Sequence, residues 1–206
     1  MRFLLLVVSL FLTLPIWSQD TALAQFSQLL TSFYRYEAVF TQETSDVVSG
    51  EQLQYYKGTI ALRKPNKLYW QTLSPSQQTI ISDGEKVWYY DAALEQVIIK
   101  SADELSQNST MMFFTNKVQD IAKNNHITVK KIGVTTLQFT VTPKTNTQDF
   151  KQLMMKFRRN KLVELIIFDH LQQKTQIKFT QVNLNPEFKS NLFTFSPPKG
   201  VEVVEQ

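Results

Sequence analysis

Residues 57–91 read KGTIALRKPNKLYWQTLSPSQQTIISDGEKVWYYD, and this stretch decides the fold. Four segments within it are rich in β-branched or aromatic residues and each is closed by a turn cluster: Gly58 to Lys64, Lys67 to Leu73, Gln77 to Ser82 and Lys86 to Asp91. Pro65-Asn66 makes the first corner and Ser74-Pro75-Ser76 the second. Asp83-Gly84 is a dipeptide whose backbone accepts the positive φ angles of a tight hairpin. The stretch is therefore an antiparallel meander. Side chains alternate faces along a strand, so Ile60 and Leu62 share a face with Lys64, while Thr59, Ala61 and Arg63 take the other. One cation ends an apolar row. Two readings are open: Lys64 is a strand end extending its ammonium to water past an apolar stem, or it stands at the rim of a cavity.

Outward from the meander, strand patterns continue on both sides. Upstream lie Tyr36 to Val48 and Leu53 to Leu62, joined by Ser49-Gly50-Glu51; downstream come Gln96 to Lys100, Ile127 to Ile132, Thr136 to Thr142, Phe150 to Arg158, Leu162 to Asp169, Thr175 to Leu184 and Asn191 to Ser196. Alternation is plain in Leu137, Phe139 and Val141, and again in Leu153, Met155 and Phe157, as half-buried antiparallel strands require. Helical spacing is confined to two places. Leu23, Phe26, Leu29, Leu30 and Phe33 form one amphipathic stripe, and Ser101 to Asn125 reads as two short helices. So many strands cannot lie flat, and a strongly curved sheet has a concave apolar face that must be covered. The expected fold is mainly β with a few helices (α+β): a curved antiparallel sheet forming an incomplete β-barrel, with a helical lid over a hydrophobic cavity.

Met1-Arg2 followed by the apolar run Phe3 to Leu14 is too short for a comfortable transmembrane helix and fits a secretory signal peptide. Cleavage after Ala24 would remove the first turn of the amphipathic helix, so the earlier point near Ser18 is preferred. This gives residues 1–18 as leader and 19–206 as one domain. The chain has no cysteine, hence neither a disulfide nor an acyl-anchor cysteine in the leader. Its 22 Lys and Arg against 18 Asp and Glu leave a formal charge of only +4, with no basic tract longer than the pairs Arg63-Lys64, Lys130-Lys131 and Arg158-Arg159, so nucleic acid is not an expected partner. Two histidines without ligand spacing and five glycines without a phosphate-binding pattern argue against metal, cofactor and enzymatic chemistry. Met111-Met112-Phe113-Phe114 is the unusual local feature. Four adjacent large apolar residues cannot share one side of a helix, where neighbours point about 100° apart. Some must face the barrel and others something else, and flexible Met side chains suit variable apolar partners.

The ordered set of Gly58, Arg63-Lys64-Pro65-Asn66, the strand through Trp70, Ile81-Ser82-Asp83-Gly84, and Val87-Trp88-Tyr89-Tyr90-Asp91 resembles the periplasmic outer-membrane lipoprotein carrier family, LolA-like proteins. Phe40-Thr41-Gln42 is similar to that family's first strand, and Phe193 to Val201 to its C-terminal strand and loop. The resemblance implies a periplasmic carrier, expected as a monomer, that shields lipoprotein acyl chains. Cargo would come from an inner-membrane ABC transporter and pass to an outer-membrane receptor lipoprotein. It also implies a latch between barrel and lid at Lys64 or Arg63. The family commonly has an arginine directly before the proline, where this chain has Lys64. Ile60, Leu62, Trp70, Met111, Met112, Phe113 and Phe114 become the candidates for acyl-chain cavity and lid. The alternative is an envelope sensor, or a glycolipid-binding module, built on the same half-barrel.

Overall fold

The structure is a computed structural model that describes residues 19–103, 105, 111, 118–146 and 148–206. Helix α1 (Gln19–Thr31) precedes β1 (Arg35–Asp46), β2 (Gln52–Arg63), β3 (Lys67–Ser74), β4 (Gln78–Asp83), β5 (Lys86–Asp91) and β6 (Gln96–Ser101). Helix α2 (Val118–Asn124) follows, then β7 (Asn125–Ile132), β8 (Thr136–Pro143), β9 (Phe150–Arg158), β10 (Lys161–Asp169), β11 (Gln173–Leu184) and β12 (Glu202–Glu205). All twelve strands form one curved sheet, ordered β12-β6-β5-β4-β3-β2-β1-β11-β10-β9-β8-β7. Its edges, β12 and β7, do not meet, so the barrel is incomplete. The first of the two helices expected between Ser101 and Asn125 falls largely outside the described residues, as does the 1–18 leader; α2 supplies the second.

The concave face carries the core. Phe40, Ile60, Leu62 and Trp70 from the β1–β3 side and Phe139, Leu153, Leu165 and Ile177 from the other half are buried together with Phe26, Leu29, Leu30 and Phe33 of the first helical segment. The stripe read from sequence is thus the face of α1 laid into the trough, with the Phe26 ring 5.1 Å from that of Phe139. Tyr36 is fully buried too, and its hydroxyl donates to the Leu162 carbonyl at 3.0 Å, so the one polar atom on that ring is satisfied.

Three expectations need correction. Asn191 to Ser196 is not a strand: its backbone closes on itself in local turns, with Leu192 N donating to Lys189 O and Thr194 N to Asn191 O. The segment lies over the convex face instead, where Phe193 is buried under the Arg63 guanidinium and the Phe195 ring packs on Trp88 and Tyr90. Trp88 and Tyr90 therefore serve this outer strap and not the concave core. The sheet is also not wholly antiparallel, because β12 runs parallel to β6, with Glu202 beside Gln96 and Glu205 beside Ile99. At the β4–β5 hairpin only Gly84 takes a positive φ, of 103°. Asp83 acts through its carboxylate, which accepts from the backbone N–H of Glu85 and of Lys86, each at 2.9 Å.

The strap makes a prediction. Phe193 is 2% exposed and is the main apolar plug over this part of the convex face. Phe193→Ala should cost roughly 3 kcal/mol, read as a lower urea midpoint with an unchanged slope.

Candidate functional site

Cross-strand register arranges the concave floor in rows. One row runs Tyr36, Leu62, Leu68, Ser82, Val87, and the next runs Ala38, Ile60, Trp70, Ile80, Tyr89. Ile60, Leu62 and Trp70 therefore share the face that α1 covers. Gly58 begins a third row opposite Phe40, and its missing side chain leaves room for the Phe40 ring, which stacks on Trp70 with centroids 4.3 Å apart.

Lys64 stands just past the end of β2. Its backbone N–H donates to Tyr34 O at 2.9 Å, which ties the strand end to the α1–β1 connection. Its ammonium lies 4.0 Å from the centre of the Phe33 ring and donates to the Leu30 carbonyl. The last four carbonyls of any helix lack intrahelical partners and carry the negative end of the helix dipole, so a cation here both satisfies Leu30 O and suits the local field. Burial opposes this charge and pulls the Lys64 pKa down to about 8. Arg63 goes the other way. Its guanidinium is on the convex face, 5.4 Å from the Phe193 ring centre. Of the two cations singled out in sequence, Lys64 contacts the cover and Arg63 contacts the strap.

Towards the opposite end of the trough the floor opens into a cavity of about 310 Å³ lined by Gln42, Gln54, Tyr56, Trp70, Thr72, Gln78, Ile80 and Met111. Met111 is 5% exposed, so it is packed against the sheet. Met112, Phe113 and Phe114 lie outside the described residues. A larger depression of about 620 Å³ lies off the trough, between α1 and the turns around Val134 and Asn160. Sequence reading missed the three glutamines and Thr72 because each looks like an ordinary polar strand residue. The available signal was the change along β1, from Tyr36, Ala38 and Phe40 to Gln42 and Thr44 on one face. Leu30 left no signal as a partner of Lys64, because the accepting atom is a backbone carbonyl.

Fold and site define an open half-barrel whose apolar concavity is covered by an N-terminal helix. The chain belongs to the family "Outer membrane lipoprotein carrier protein LolA", whose pattern it matches over residues 21–196. An outer-membrane lipoprotein carrier protein of Pseudomonas fluorescens strain Pf0-1 is 36% identical over 205 residues, covering 100% of this chain and 98% of that protein. One from Legionella pneumophila strain Lens is 30% identical over 208 residues, covering all of both chains. Among solved structures, an uncharacterized conserved protein from Thermus thermophilus shares the fold with a TM-score of 0.59 at 8% identity, covering 92% of this chain and all of that one. A chain in the Pseudomonas aeruginosa MucA/MucB complex shares it with a TM-score of 0.51 at 12% identity, covering 86% of this chain and 61% of that one.

Proposed function

We propose that this protein is a periplasmic carrier that takes lipoprotein acyl chains into the trough between α1 and the sheet. The observation that carries the reading is the buried apolar floor of Ile60, Leu62 and Trp70 beneath a helix tied down at its C-terminal end. Each methylene withdrawn from water contributes about 0.8 kcal/mol, so an acylated protein crosses an aqueous compartment only with its chains covered. The cavity of about 310 Å³ is at the small end for even a drug-sized ligand. Loading with full acyl chains then calls for α1 and Met111 to move off the floor, and on that ground we read them as parts of the lid. The protein is a binding carrier and not an enzyme. Residues 1–18 act as the export leader. An inner-membrane ABC transporter supplies cargo and an outer-membrane receptor lipoprotein removes it, with direction set by the relative affinities of the three.

Native mass spectrometry of the protein isolated from periplasm should show bound acylated proteins. An empty or glycolipid-loaded protein would overturn the carrier reading in favour of a sensor or glycolipid-binding module. A photo-crosslinker at Trp70, on the floor, should label cargo acyl chains at least tenfold more than one at Arg63, on the convex face under Phe193. Equal labelling would place the chains elsewhere.

A further inference from the structure

The trough is not uniformly apolar. Across β1–β5 polarity rises row by row away from Lys64, whereas β11 keeps Ile177 beside Gln42. After the rows of Leu62 and Ile60 comes one that runs Phe40, Gly58, Thr72, Gln78, Asp91, then Gln42 beside Tyr56, then Thr44 beside Gln54. Carboxamides and hydroxyls therefore frame the far side of the cavity whose near side is Trp70 and Ile80. Among the described residues that line it, none is charged. A charge beside it is the Asp91 carboxylate, which accepts from Gln78 Nε2 at 2.7 Å and is held below its usual range by that bond and by the N–H groups of Leu94 and Ala93.

This gradient matches one kind of amphiphile. Apolar chains fit the floor, and uncharged carbonyls fit the amide ring, since Gln and Thr supply donors to carbonyl oxygens without a charge. A phosphate headgroup wants cations or charge-assisted donors, and here it would meet neutral amides with an anion behind them. We infer that Gln42, Gln54, Thr72 and Gln78 form a subsite for the ester and amide carbonyls joining acyl chains to a lipoprotein's N-terminal cysteine, and that it selects this uncharged head over anionic phospholipids, whose glyceryl esters are the same but lie beside a phosphate. The inference rests on the carrier reading and adds the polar half of ligand recognition. It gives a physical reason why a carrier loaded at a membrane surface would not fill with the phospholipid around its cargo.

The test uses two probes with the same two acyl chains, a synthetic N-acetyl-S-diacylglyceryl-cysteine lipopeptide and phosphatidylglycerol, each displacing a bound environment-sensitive dye. The full mature protein should bind the lipopeptide at least tenfold more tightly. Combined Gln42→Leu and Gln54→Leu should narrow that ratio at least fivefold with unchanged circular dichroism. Gln54→Lys, at an exposed position that tolerates a charge, should raise phosphatidylglycerol affinity at least fivefold and keeps the inference testable if the double variant does not fold. Equal affinities in the wild type, or an unchanged ratio in the folded variants, would overturn the subsite while leaving the carrier reading standing. A wild type that binds neither probe would overturn both.

Discussion

Alanine at Gly58 should lower the melting temperature by roughly 6 °C or more, although the change adds a single methyl group. A Cβ built there would lie 1.9 Å from the Gln71 carbonyl oxygen and 2.7 Å from two atoms of the Phe40 ring. The ring could turn. The carbonyl cannot, because Gln71 is in β3, whose ladder continues on both sides into β2 and β4. Relief means prising β2 from β3 at the centre of the meander and disturbing the Phe40–Trp70 stack. Overpacking of this kind costs about 3 kcal/mol, and each kcal/mol is worth about 2–4 °C in a chain of this size. The control is Phe40→Leu added to Gly58→Ala. Because the tighter clash is with backbone, trimming the ring should not restore stability. A full rescue would show that the ring, and not the strand spacing, fixes the glycine.

The meander around Gly58 was legible because period-two alternation and turn residues are local signals, and its register follows from them. Residues Lys86 to Asp91 and Phe150 to Arg158 occupy as strands the very bounds that their patterns indicate. Asn191 to Ser196 has the same kind of alternation and misleads for that reason. Phe193 and Phe195 serve equally well in a strand or in a strap laid across a sheet, and what decides is the buried convex surface around Ala61 and Ile81, which no local window contains. The site divides the same way. Ile60, Leu62, Lys64 and Trp70 could be placed on one face by counting. Gln42, Gln54 and Gln78 become a group only when three hairpins set them in register, and the partner of Lys64 is a main-chain atom 34 residues away in the sequence.

Lys64→Leu should make the carrier hold its cargo, slowing transfer of a bound lipopeptide to excess empty wild-type protein by tenfold or more. In the closed protein the ammonium is bonded to Leu30 O and lies on the Phe33 ring. If α1 lifts to admit acyl chains, as proposed, both contacts break and a cation is left at the end of the strand that carries Ile60 and Leu62. The loaded state therefore lacks a hydrogen bond to a charged group, worth about 1.5–3 kcal/mol, and a tenfold change corresponds to about 1.4 kcal/mol. Leucine removes the anchor from the closed state and extends the apolar floor of the loaded one. Lys64→Arg should move transfer the other way, since a guanidinium offers a planar fork of donors to the carbonyls at the end of α1 and is less costly to desolvate than an ammonium. Stability against pH supplies an independent check. The Lys64 pKa is about 8 in the folded protein, against an ordinary lysine value of 10.5. Between these values the unfolded chain holds a proton that the folded one has lost, so this group makes stability rise as pH increases from about 8 towards 10.5. The shift sets an upper bound of roughly 3 kcal/mol, and the solvent that still reaches the side chain reduces it to about 1–2. Urea midpoints at pH 7.5 and 9.5 should show this rise in the wild type, and the difference between the two values should shrink in Lys64→Leu and in Lys64→Arg. Unchanged transfer in both variants, with the same pH response as wild type, would make Lys64 a solvated strand end and return α1 to the sheet by its apolar face alone.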